Sequence, residues 1–328
     1  MFIKRKAFTL IELLAVIAIV GIMLSILLPA VYAARTAARR VTCQSNMRQT
    51  GLAILHYTDI HGQFPPSKCT YTFRLDGSTS VREIGHGLVP FLLPFMEQTV
   101  SASLYRFDVN WQNTANRTAR EVRIGILLCP EAEPVRFHRY GPSDSVAYHR
   151  NIVEYFCSDY TSCDEIALSR NDLQTIGVSR SDWRAILARA AFGNRNYVRS
   201  SLPTLQDVLS ALDVKPVAPS AISDGLSNSM MLFECAGRPK QYGRDKVPGS
   251  QMASPVGGAR WADNESQIWL HRVCPHSTQM FNCSNQEEIF GLHPGGCNFL
   301  YGDGSLRFHV ESMSPEAFVS RFTAYAGD

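Results

Sequence analysis

From Leu13 to Val31 the chain is apolar, interrupted only by Gly21, Ser25 and Pro29 and carrying no charge. As a helix, a run of this length just crosses a bilayer core of about 30 Å. Beyond it the pattern changes but does not stop. Val31, Ala34, Ala38 and Val41 recur at three- and four-residue spacing, and Met47, Leu52 and Leu55 extend an apolar face suited to packing under a sheet. One helix is therefore expected over about Phe8–Asp59, weakened slightly at Gly51 and stopped by Gly62, Pro65 and Pro66.

After the prolines the period shortens. Tyr71–Leu75 alternates and Asp76-Gly77 follows as a turn, so a hairpin with residues near Val81 is expected. Leu88–Leu104, starting at Pro90 or Pro94, reads as helical, and Thr114–Val122 as a short helix. Arg123–Leu128 reads as a buried strand ending at Cys129-Pro130, and Tyr148–Phe156 as another strand. Asp182–Ala191 and Leu205–Leu212 read as helices, and Met230–Glu234 as a strand after the turn Ser223-Asp224-Gly225. Asn298–Tyr301 and Ser305–Val310 flank Gly302-Asp303-Gly304, a strong hairpin signal. Ser314-Pro315-Glu316 has the cap, first-turn proline and early acid of a helix running to about Ala324. The fold class is α+β: a long N-terminal transmembrane and stalk helix on a mixed, mainly antiparallel β-sheet head.

Charge refines the N-terminus. The formal net charge of +3 resides in Lys4, Arg5 and Lys6, just before the apolar run; without them 29 basic residues face 29 acidic ones. No basic stripe interleaved with aromatics is present, so nucleic acid is not an expected partner. Arg35, Arg39 and Arg40 follow the span, so the positive-inside count is nearly tied. Nine cysteines, none in CxxC, do not support a CxxC-type zinc site. Outside the cytoplasm they suit disulfides, and Cys157/Cys163 and Cys274/Cys283 could close small loops. The odd count leaves at least one thiol or an intermolecular bond, and the alternative is that several are simply small buried apolar residues.

A single carboxylate, Glu12, stands inside the apolar segment, where an unpaired charge costs several kcal/mol. An ordinary secretory signal cut near Ala30, Ala33 or Ala34 would not carry such an acid. The segment KAFTLIELLAVIAIVGI resembles the type IV prepilin signature shared by pilins and type II secretion pseudopilins. The resemblance implies cleavage between Ala7 and Phe8 by a prepilin peptidase, with methylation of the new N-terminus. It makes Glu12 the fifth mature residue, which in that family neutralises a neighbouring subunit's N-terminal amine, and Pro29 the helix-kinking proline. Ala7 stands where the family usually has Gly.

Four separated blocks carry a second resemblance: Cys43–Pro66, Ile126–Pro130, Ala221–Glu234 and the final HPGGCNFLYGDG. They resemble a large bacterial family of pseudopilin-like proteins. Its head is a domain of unknown function, named solute-binding-like in places, marked by His, nine residues, then Asp-Gly. The signature falls on His293, Asp303 and Gly304. His293 with Asp303 could hold a divalent ion, but Asp-Gly is also ordinary hairpin chemistry. Ser223–Asn228 could hold calcium, but lacks the spacing of a calcium-binding hand and suits an Asx turn. His56 and His61 are spaced by five, poor for a helical metal pair. No GxSxG elbow, P-loop, paired-acid or dinucleotide pattern appears, so no enzyme and no cofactor is expected. Trp261, Trp269, Tyr301 and Phe308 could form a binding face or fill the core.

The expected organisation is a leader over 1–7, a transmembrane and stalk helix over 8–62, and a periplasmic head over 63–328. The expected function is structural: a pseudopilin-like subunit of a type II secretion or type IV pilus-like filament, single-pass in the bacterial inner membrane with its N-terminus cytoplasmic. Its expected partners are the prepilin peptidase, other pilin-like subunits, secretion-system inner-membrane components and the membrane. The alternative is a membrane-anchored periplasmic solute- or glycan-binding protein, and a weaker third reading is a hydrolase using a metal on His293 and Asp303.

Overall fold

The structure is a computed structural model that describes residues 9–75, 82–133, 136–139, 154–166, 217–248 and 288–322, with shorter pieces between them. Helix α1 spans Leu10–His61 and continues through Pro29. It ends where the pattern says it should: Gly62 adopts the left-handed conformation (φ 70°) and its N–H bonds the Thr58 carbonyl at 2.8 Å. The helix has two halves of different character. Cys43, Met47, Thr50, Ile54, Tyr57 and Thr58 form a buried stripe, whereas Leu10 to Tyr32 is exposed all round.

Strands β1 (Lys68–Leu75) and β2 (Arg82–Gly87) pair antiparallel from Lys68↔Gly87 to Phe73↔Arg82. The Asp76-Gly77 turn lies outside the described residues. The segment expected as one helix over Leu88–Leu104 is broken. Helix α2 (Val89–Leu92) passes into a 3₁₀ turn, Leu93–Met96, and α3 (Thr99–Leu104) starts afresh. Pro94 lacks the N–H that a continuous helix needs there, and Glu97 closes the turn at φ 58°. Thr114–Asn116 is 3₁₀ and leads into α4 (Arg117–Arg120).

The strand expected at Arg123–Leu128 is instead a 3₁₀ turn over Gly125–Leu127 packed under α1. Its N–H groups bond within the run, Leu127 N to Ile124 O and Leu128 N to Gly125 O, both at 3.1 Å, while its carbonyls at Leu127 and Leu128 accept from Asp159 N and Asn46 Nδ2. Then follow β3 (Phe137–Arg139), β4 (Glu154–Phe156), β5 (Tyr160–Thr161), β6 (Cys163–Ile166), β7 (Trp183–Arg184), β8 (Ala190–Ala191) and β9 (Tyr197–Arg199). The helix expected over Asp182–Ala191 is overturned at both described ends. There β7 pairs with β6 and β8 runs parallel to β1, so tertiary pairing overrides local propensity. Leu205–Leu212 lies outside the described residues. Strands β10 (Met230–Glu234), β11 (Ile268–Leu270), β12 (Gly296–Tyr301) and β13 (Leu306–Val310) precede α5 (Pro315–Phe322).

The sheet that matters for the site is antiparallel, in the order β13-β12-β10-β5. Its side chains alternate. Leu232 and Leu300 join the core beneath α1, while Phe233, Phe299 and Tyr301 join a second core with Phe281, Phe318 and Phe322. The same alternation puts Glu234 and Asn298 on the α1 side, where Gln44 Nε2 donates to Asn298 Oδ1 at 3.1 Å. α1 comes close to the sheet at Gly51: a Cβ there would lie 2.6 Å from Leu300 Cδ2. The architecture is α+β, a long N-terminal helix laid on predominantly antiparallel sheets.

Candidate functional site: an exposed apolar helix and a buried Cys–Glu–His cluster

Ala7 and Phe8 lie outside the described residues. Just beyond them Thr9 caps α1: its hydroxyl accepts from Glu12 N at 3.3 Å, and Glu12 Oε2 accepts from Thr9 N and Thr9 Oγ1 at 2.8 Å each. This is a reciprocal capping box: Thr9 holds the Glu12 N–H and the Glu12 carboxylate holds the Thr9 N–H at the helix start. The Thr-x-x-Glu spacing carries that signal, and the reading of Glu12 as an assembly acid passes over it.

From Leu10 to Val31 every large apolar side chain is about half exposed or more. None of the most apolar stretch is covered by the head, and α1 is long and apolar enough to cross a membrane. Moving one Leu or Ile of this kind out of water contributes roughly 1.5–3 kcal/mol. The helix therefore carries a large unsatisfied demand for lipid or for neighbouring apolar surface.

The second site is buried. Cys43 on α1 and Cys129, two residues past the 3₁₀ turn, form a disulfide that ties the stalk to the head. Beside it lie Glu234 at the end of β10 and His293 just before β12, neither with any exposed surface. His293 Nε2 is 3.3 Å from Glu234 Oε1 and 3.7 Å from Cys129 Sγ. One donor atom from each of the four residues lies within 4.8 Å of every other. Asn298 holds the carboxylate with two donors, its N to Oε2 at 2.7 Å and its Nδ2 to Oε1 at 3.0 Å. His293 Nδ1 has no hydrogen-bond partner, and Lys246 Nζ donates to the His293 carbonyl.

Behind Cys129 sits a buried ionic group. Asp159 accepts from Cys129 N at 2.7 Å, from Gly237 N at 2.9 Å and from the Arg136 guanidinium. Burial works against the Arg136 charge, but the Asp159 carboxylate overrides it and raises the Arg136 pKa. Alongside, Arg39, Asn46, Arg123, Glu131 and Tyr242 help to line a cleft of about 700 Å³ that reaches Cys129.

The signature residues do not form one site. His293 is buried in the cluster, while Asp303 is exposed in the β12–β13 turn, its Oδ1 accepting from Ser305 N at 2.8 Å. Gly304 follows at φ 82°. Asn228 Nδ2 donates to the Asp224 carbonyl at 3.1 Å, turn geometry within Ser223–Asn228. His56 and His61 are exposed, and the His61 ring lies tilted against Tyr57, centroids 4.2 Å apart. Cys274 and Cys283 are bridged, whereas Cys157 and Cys163 are buried and not bridged to each other. Trp261 and Tyr301 fill the core, so neither contributes to an exposed binding face. The Trp269 side chain lies outside the description, and Phe308 is covered by the Arg40 guanidinium at 3.5 Å.

Comparison with known families agrees with this two-part layout. A family model described as a protein of unknown function (DUF1559) matches residues 32–316, from the exposed end of the stalk to the start of the final helix. The chain belongs to that family. The prokaryotic N-terminal methylation motif matches residues 3–28, so this DUF1559 chain carries the N-terminus of a pilin-like protein processed by a prepilin peptidase. That motif marks structural subunits, and with the apolar helix it fits a single-pass membrane anchor. No curated protein and no solved structure matches the chain.

Proposed function

We propose that the protein is a pseudopilin-like structural subunit of a type II secretion or type IV pilus-like filament. The observation that carries this reading is the uncovered apolar helix Leu10–Val31 attached to an N-terminal methylation motif. In the proposed order of events, a leader of residues 1–7 is removed between Ala7 and Phe8 and the new N-terminus is methylated. Residues 8–62 serve as anchor and stalk, and 63–328 as a periplasmic head. The apolar faces of neighbouring helices pack together, and Glu12 fixes register by pairing with a neighbour's terminal amine, which offsets most of its cost in lipid. Pro29 withholds the N–H that would bond the Ser25 carbonyl, making it the bending point of the helix. Other pilin-like subunits and secretion-system membrane components are the partners.

The test is crosslinking in membranes. Wild-type protein should yield ladders of self- or co-assembled species, and Glu12→Leu should abolish them while still inserting. Undiminished ladders from Glu12→Leu would reject the role given to the acid. The cleft of about 700 Å³ beside Arg39 and Arg123 supports a second reading, an anchored solute- or glycan-binding protein. That reading requires saturable ligand binding lost in Arg39→Ala and indifferent to Glu12→Leu.

A further inference from the structure

We propose that Cys43, Cys129, Glu234 and His293 are a zinc site in the reduced chain, and that the Cys43–Cys129 disulfide occupies the same place when the chain is oxidised. The four ligands come from four separate segments: the stalk helix, the loop after the 3₁₀ turn, the end of β10 and the loop before β12. A disulfide requires neither an imidazole nor a carboxylate beside it, yet both are present here with no exposed surface. Asn298 and His293 meet the Glu234 carboxylate, but the buried His293 Nδ1 has no partner, and such burial is costly.

The spacings fit a tetrahedron. With Zn–N and Zn–O of about 2.0–2.1 Å and Zn–S of about 2.3 Å, a nitrogen–oxygen edge is about 3.3 Å and a sulfur–nitrogen edge about 3.6 Å. The structure has 3.3 Å from His293 to Glu234 and 3.7 Å from Cys129 to His293. The two sulfurs, bonded to each other in the disulfide, must separate for both to become ligands. The ligands are also held from outside: Asn298 fixes both Glu234 oxygens, Gln44 fixes Asn298, and a Cβ at Gly291 would lie 2.8 Å from Glu234 Oε2. When Nε2 of His293 is the ligand, the partnerless Nδ1 carries the proton.

The exchange balances. A dithiol reductant supplies two electrons and two protons to the disulfide and itself becomes a disulfide. The freed Cys43 and Cys129 thiols then release two protons as Zn²⁺ binds their sulfurs. Either clasp joins the stalk helix to the head, so the state of this position sets whether head and stalk are locked covalently or by metal.

The test uses full-length protein in detergent, with Co²⁺ as the spectroscopic probe. Reduced wild type should take up one Co²⁺ per chain with thiolate charge-transfer and tetrahedral bands, which Zn²⁺ displaces. Oxidised protein should show neither band. Asn298→Ala should weaken Co²⁺ binding about 10–100-fold. Cys274→Ser/Cys283→Ser should bind as wild type does, which separates this site from the other reducible disulfide. Absence of the thiolate band in reduced wild type would overturn the proposal, as would its persistence in Cys43→Ser/Cys129→Ser.

Discussion

Replacing Gly51 by alanine sets two effects of opposite sign against each other. Gly51 lies inside α1, where alanine is favoured over glycine by about 1 kcal/mol through backbone entropy and helix propensity. Sequence pattern alone therefore predicts stabilisation. The packing predicts the reverse. An alanine Cβ would sit 2.6, 3.0 and 3.3 Å from Leu300 Cδ2, Cδ1 and Cγ, against a comfortable carbon–carbon separation of about 3.5–4.0 Å. Leu300 is fully buried in β12, with Leu232 and Leu306 paired to it on either side, so it cannot turn aside without disturbing the core. Overpacking of this kind costs about 1–3 kcal/mol. The net expectation is a loss of up to about 2 kcal/mol. Thermal or urea unfolding of the full chain in detergent measures it, and the decisive comparison is the same substitution in a Leu300→Ala background. There the new methyl enters a cavity instead of a filled site, so Gly51→Ala should become stabilising, with a coupling of about 0.5–3 kcal/mol. If Gly51→Ala raises stability by about 1 kcal/mol in the unmodified chain, the close approach of helix and sheet is wrong.

Three other expectations follow from the head. His86 is buried neutral, its Nε2 3.0 Å from the Phe107 carbonyl and its Nδ1 2.8 Å from Tyr105 Oη, and burial pushes its pKa down to about 4. Because the unfolded chain takes up that proton first, this contribution is complete above about pH 6.5 and fades as pH falls toward 4. It is worth roughly 3 kcal/mol, and a stability–pH profile of His86→Gln should lack that slope. Loss of the Cys43–Cys129 bridge, which closes a separation of 86 residues, should cost about 4.6 kcal/mol on the chain-entropy model, against about 2.6 for Cys274–Cys283 with its separation of 9. Denaturation of the two double-serine variants in metal-free buffer would refute this by giving the opposite order. Asp159→Asn leaves the Arg136 guanidinium buried without its counter-charge, and should lower stability by about 3–5 kcal/mol in the same assay; a change below 1 kcal/mol would mean the pair is not buried as described.

What could be read in advance was local. The long helix follows from an apolar run ended by Gly62 and two prolines, and the β12–β13 hairpin from Gly302-Asp303-Gly304, because each signal is contained in a few neighbouring residues. The strand expected at Arg123–Leu128 failed because an unbroken apolar run has no period to separate strand from buried turn, and the packing of α1 decided it. The ends of Asp182–Ala191 were misread because the strands that pair with them are distant in the chain. Each residue of the buried cluster stands in one of the four sequence blocks, but no spacing inside a block marks it as a partner of the others. Its ligands stand at 43, 129, 234 and 293, and only the sheet's alternation and the seating of α1 bring them together. The His-x9-Asp-Gly spacing pairs His293 with Asp303, whereas Glu234 is the carboxylate beside it.

The central claim is that this chain is a processed, membrane-held subunit whose working surface begins at Phe8. Mass spectrometry of the N-terminal peptide from protein isolated from native membranes tests it most directly. The account predicts a mature chain beginning at Phe8 with a methylated amine. An intact Met1, or a cut near Ala34 that discards the apolar helix, would contradict it.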